Sequence, residues 1–135
     1  MKYISGIHAL NIPCELDTCG DWHVSSLKWE NITLMDSEDS IFGNYGIEKN
    51  KIIPEHSEKY NVANTLRAIL DLMYLGKTGY LIGFKEDFIC NNKYTYELFE
   101  KVLLLKNCDN WNEIDKLMTT EYYNQWVKYK EKYYV

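Results

Sequence analysis

The chain has 135 residues, of which 46% are apolar, 26% charged and 15% aromatic, with 12 Tyr and 4 Trp. That length and apolar content suit one domain with a sizeable core, and they exclude a disordered, collagen-like, coiled-coil or membrane-spanning chain. Fifteen Lys plus Arg against 20 Asp plus Glu leave a net charge of −5, and only Arg67 is arginine. The fork-shaped cation that grips phosphates and guanine edges is nearly missing, so direct nucleic-acid binding is not expected.

The acidity is uneven. Residues 1–60 hold ten acids and five lysines, whereas residues 61–135 hold ten acids and ten cations, so the whole −5 belongs to the first part. We read a single domain, 1–135, with an acidic strand- and loop-rich part over 1–60 and a helical part over 61–135. Residues 3–12 alternate loosely around Ile4, Leu10 and Ile12, and residues 22–29 alternate around Trp22, Val24, Leu27 and Trp29. Period two with β-branched and aromatic residues predicts two strands, joined by the turn-rich CELDTCGD. A third strand is expected over Ile32 to Met35 and a fourth around Ile41 to Ile47, interrupted by the turn signal Gly43-Asn44-Tyr45-Gly46.

Beyond Pro54 the period turns helical. Val62, Leu66, Ile69, Leu70 and Met73 form one stripe, with Asn61 as N-cap and Gly76 as the stop. Arg67 and Asp71, at i and i+4, fall off that stripe and read as a surface helix pair. A second helix opens at Thr95 and runs through Leu98, Phe99, Val102 and Leu105 to about Lys106. A third starts at Asn110, with Glu113 completing a capping-box pattern, and its face reads Trp111, Ile114, Leu117, Met118, Tyr122, Trp126, Tyr129. The fold class is therefore α+β, a small antiparallel sheet from the N-terminal half packed against about three C-terminal helices.

Few motifs carry chemistry. Leu75-Gly76-Lys77-Thr78-Gly79 looks like the end of a phosphate-binding loop, but Asp71 stands where the motif needs glycine, and a helix precedes it instead of a strand. It reads as helix termination. His8, Cys14, Cys19 and His23 are zinc-ligand types, although the Cys14–Cys19 spacing is wider than a zinc knuckle and Cys90 and Cys108 lie far away. Asp21, His23 and Ser25 share one side of the expected strand, which reads as a solvated polar strip in the absence of a nucleophile elbow. No cofactor motif is present and no cofactor is expected.

Asp36, Glu38 and Asp39 form an acidic turn without the spacing of a calcium loop. Together with Asp21 and the interleaved aromatics Trp22, Trp29, Phe42 and Tyr45, they make the candidate partner-binding surface, since Trp and Tyr anchor interfaces and charge steers association. Tyr122, Tyr123, Tyr129, Tyr133 and Tyr134 exceed what one core stripe can hold, which suggests a homodimer or partner surface. The N-terminus lacks a signal-peptide pattern and the four cysteines read as reduced thiols, so a cytoplasmic location with no membrane association is expected.

The strings GIHALNIP (6–13), CGDWH (19–23), SIFGNYGIE (40–48) and DFICN (87–91) together resemble small uncharacterised bacterial proteins encoded with mobile elements, toxin–antitoxin pairs or phage-defence genes. That resemblance implies an intracellular binder acting stoichiometrically on a protein partner, as an inhibitor or an antitoxin, immunity or anti-defence factor. Its acidic N-terminal part would face a basic surface. The alternative from another class is a small enzyme or zinc-binding protein centred on His8, Asp21 and His23.

Overall fold

A computed structural model describes residues 1–19 and 27–134 of the chain. The expected strand over residues 3–12 ends at Ile4. Lys2–Ile4 form β1, and Gly6, at φ +66°, then turns the backbone into a short helix, α1, Gly6–Leu10. Residues 22–26 of the second expected strand lie outside the described residues, and 27–29 are irregular. The third expected strand is present as β2, Leu34–Asp36. Gly43 and Gly46 both take positive φ, so the segment between them is a complete turn, and the chain resumes as β3 only at Ile47–Ile52.

One strand has no counterpart in the expected pattern. Lys59–Ala63 form β4, and Val62, which fits the helical stripe by spacing, instead pairs with Ile4 of β1. The sheet order is β2-β1-β4-β3, with a parallel β1–β4 pair between two antiparallel ones, so the sheet is mixed where an antiparallel one was expected. Helix α2 therefore starts three residues later than expected, at Thr65–Tyr74. Its N-cap is Asn64, which accepts from the Arg67 amide at 2.9 Å, while Asn61 donates to the Lys2 carbonyl. At the far end Gly76, φ +76°, terminates the helix as expected. Its N–H reaches the Met73 carbonyl and the Lys77 N–H reaches Leu72, the paired bonds of a Schellman motif.

The remaining α-helices among the described residues are α3, Thr95–Leu103, α4, Trp111–Tyr122, and α5, Asn124–Tyr133. Helices are concentrated in the C-terminal half, and the α+β class read from the sequence is the one observed. The long third helix is split in two, because Tyr123 adopts φ 51°, ψ −130°. Spacing could not reveal the break, since Tyr122 and Trp126 pack on the same Phe99 ring on either side of it, at 4.9 and 5.1 Å. Asn110 does not cap α4 with its side chain; its amide donates to the Met73 carbonyl at 2.7 Å and ties α4 to the end of α2.

Cys19 and Cys90, 71 positions apart, are joined as a disulfide with Cα atoms 6.0 Å apart, a separation ordinary for such a bond. The expectation of four thiols is thus corrected for two of them, and Cys14 and Cys108 are free. A pairing over that distance leaves no local trace in the sequence. No helix among the described residues is long and apolar enough to cross a membrane.

Candidate functional site

The parallel strands β1 and β4 lead at their carboxyl ends into α1 and α2, and a cleft opens beside the end of β1, between α1, β2 and α2. Beneath it lies a buried charge network that reaches the cleft through Ser5. Arg67 and Asp71 are not the surface pair that helix periodicity suggests: residues 65–73 of α2 are all buried, because β1 and the turn 42–45 cover the side left free by the core stripe. Arg67 Nε donates to Asp71 Oδ1 at 3.0 Å, and its terminal nitrogens donate to the carbonyls of Gly43 and Tyr45 and to the Tyr3 hydroxyl. The guanidinium also lies 4.9 Å from the Tyr3 ring centre and 5.5 Å from that of Phe42.

Asp71 Oδ2 accepts from the Tyr3 hydroxyl at 2.7 Å and from Ser5 Oγ at 2.6 Å. Burial, reinforced by the Asp71 carboxylate, pushes the Tyr3 phenol well above its ordinary range. Each member of the network has a hydrogen-bond partner. Ser5 is its outermost, half-buried member and lines a cleft of about 350 Å3. Ile7 and His8 of α1, Met35 of β2 and Leu72 of α2 form the walls, and Leu75, Lys77 and Tyr80 stand at the rim. Leu75 is 48% exposed and Tyr80 60%. With its proton committed to Asp71, the Ser5 hydroxyl remains an acceptor. Asp71, already taken by three donors, is badly placed to act as a base.

Two histidines hold the segment beside the cleft. His8 donates from Nε2 to the Lys28 carbonyl at 2.6 Å and meets the Trp29 ring edge-on at 4.9 Å. His56 donates from Nε2 to the Trp29 carbonyl at 2.6 Å and accepts from the Tyr60 hydroxyl on Nδ1.

The residues singled out from sequence are dispersed. Asp21, Trp22 and His23 lie outside the described residues. Trp29 and Phe42 are core residues. Tyr45 is half-buried, donates to Glu97 Oε2 at 2.5 Å and carries the Lys101 ammonium 4.5 Å over its ring; burial and then Glu97 push its phenol up. Asp36 caps the turn Ser37–Asp39 by accepting from the Glu38 amide, and it pairs with the N-terminal ammonium and Lys2. The Glu38 amide bond is the main influence holding its carboxyl below the usual range. Glu38 and Asp39 are exposed, and neither joins an ion pair among the described residues.

Of the zinc-type set, Cys19 is in the disulfide, and Cys14 Sγ lies 3.5 Å from Thr65 Oγ1. Among the described residues no group of three or more His, Cys, Asp or Glu is placed to hold a metal ion. Sequence reasoning passed over Ser5, Met35, Leu75 and Tyr80. The signal available was the pair of large apolar residues flanking the Gly76–Gly79 stop, where a plain helix end needs none. No family model, curated protein or solved structure matches the chain.

Proposed function

We propose that the chain is a protein-binding module that acts stoichiometrically, as an inhibitor of the antitoxin, immunity or anti-defence kind, and that it takes its partner at the cleft above Ser5. One observation carries this reading: the large apolar residues Leu75 and Tyr80 stand open to solvent on the rim of a cleft whose Ser5 is tied to the buried Asp71. Exposed apolar rims around preformed concavities mark binding surfaces. Glu38 and Asp39, one turn beyond β2, together with the net −5 of residues 1–60, support a basic partner, whose approach they would speed. The C-terminal tyrosines offer a second face through which two copies would pair. A cytoplasmic location goes with this reading, and the Cys19–Cys90 bond does not favour it, since such bonds persist mainly in oxidising compartments.

The test is selection of a random peptide library displayed on phage against the immobilised protein, with and without dithiothreitol. Basic, apolar-bearing peptides are expected to enrich, to weaken as salt rises and to lose about tenfold or more in affinity to folded Leu75→Asp or Tyr80→Ala protein. Failure to enrich any peptide, or enrichment of peptides indifferent to both substitutions, would contradict the reading.

A further inference from the structure

We infer that the occupant of the cleft is an extended, lysine-bearing segment of the partner, added as a fifth strand along the outer edge of β2. This rests on the protein-binding reading above and names the form the partner must take. Among the described residues the sheet has two edge strands, β2 and β3. Edge β3 carries Lys49 and Lys51, and it is broken by a register shift between Glu48 and Lys51 around the left-handed Asn50, φ 58°. Lysines and bulges are the devices by which natural edges refuse further strands. Edge β2, Leu34-Met35-Asp36, has no lysine, no proline and no positive φ.

The pleat then specifies the incoming side chains. Met35 pairs with Tyr3, whose hydroxyl reaches Asp71 and Arg67, so the Met35 side of the sheet faces α2, and Thr33 and Met35 both line the cleft. Leu34 and Asp36, the alternate residues, lie on the opposite face. A strand laid beside β2 would send one parity of side chains into the apolar cleft and the other to the face of Asp36, with the exposed Glu38 and Asp39 in the turn that follows. Apolar residues suit the first set and lysines the second. A second copy of this chain is the poorer occupant, because its own β2, Leu34-Met35-Asp36, brings an aspartate and no lysine to that edge.

The probe is the blocked heptapeptide Lys-Val-Lys-Val-Lys-Val-Lys. Its affinity is measured by calorimetry at low salt, alongside two versions N-methylated on alternate residues. Backbone N–H groups in a strand point alternately to either side, so methylation of one parity is expected to weaken binding about tenfold or more while the other parity is tolerated. Hydrogen exchange at the β2 amides slows on binding, and the surface double variant Glu38→Lys/Asp39→Lys loses most of the affinity. Equal sensitivity of both parities, with cleft residues still perturbed, would overturn strand addition and leave the cleft reading standing. No perturbation of the cleft by this or any selected peptide would overturn both. A doubling of mass in place of peptide binding would assign the edge to a second copy and equally overturn the inference.

Discussion

Asp71→Ala removes a carboxylate that accepts from Tyr3 at 2.7 Å, from Ser5 at 2.6 Å and from Arg67 at 3.0 Å. The guanidinium stays behind with 0% of its residue's surface exposed, still held by the Gly43 and Tyr45 carbonyls and unable to reach water. Breaking a buried pair by deleting one partner costs about 3–5 kcal/mol, a large part of the roughly 5–15 kcal/mol typical of a domain. Arg67→Met should cost about as much, since it strands the carboxylate and the two carbonyls. The double variant removes both charges together and should fall short of the summed singles by about 2 kcal/mol, a coupling in the usual range for contacting residues. Urea unfolding followed by tryptophan fluorescence measures all three, and Asp71→Asn, which keeps the side-chain shape, supplies a value if the alanine variant does not fold. A loss below about 1 kcal/mol for Asp71→Ala, or strict additivity, would refute the buried network beneath the cleft.

At Gly46, φ +70°, an added Cβ would stand 2.8 Å from Arg67 Cβ and 2.9 Å from Asn64 Oδ1. Gly46→Ala should therefore cost roughly 3 kcal/mol in thermal or urea unfolding, against about 1 kcal/mol for Gly43→Ala, where nothing lies within 4 Å; equal losses would contradict the close approach. Tyr123 is 72% exposed at φ 51°, so Tyr123→Gly gives up little packing, relieves the α4–α5 junction and should raise stability by about 1 kcal/mol, where a loss would argue against strain. Tyr3, Tyr45 and Tyr122 have phenols raised chiefly by burial, so the folded state keeps protons that the unfolded chain releases above about pH 10. Their stabilisation is complete below that pH and is lost as pH rises, by about 1.4 kcal/mol per unit for each tyrosine. Ultraviolet titration should show these phenols ionising only with alkaline unfolding, and their ionisation in intact protein would contradict the burial. Alkylation of unreduced protein should label Cys14 and Cys108 alone, with reduction costing about 4 kcal/mol through the loop that the disulfide closes; labelling of all four cysteines would refute the bond.

The helical half was legible because its signals are local. Gly76 stops α2 and Thr95 opens α3 where chain chemistry requires, and the Leu66, Ile69, Leu70, Met73 stripe is core. The N-terminal half misled for reasons that are long-range. Short apolar runs do not distinguish strand from helix, so residues 6–10 read as a strand until Gly6 bends them, and Val62 fits a helix until Ile4 claims it. Arg67 looks solvated from spacing alone, because the turn that covers it comes from some 22 to 24 positions earlier. Trp29 and Phe42, read as interface anchors, serve the core instead, which is the commoner use of large aromatics. The cleft was least legible of all, since Ser5, Met35, Leu72 and Tyr80 come from four separate segments.

The most direct measurement is amide chemical-shift mapping while the alternating lysine–valine peptide is titrated into isotope-labelled protein. Shifts centred on Ser5, Met35, Leu72 and Tyr80, shrinking as salt rises, are the result expected of a recognition cleft with an acidic flank. Shifts confined to the exposed Tyr123, Tyr133 and Tyr134 in and beside α5, or no shifts at any peptide concentration, would contradict it.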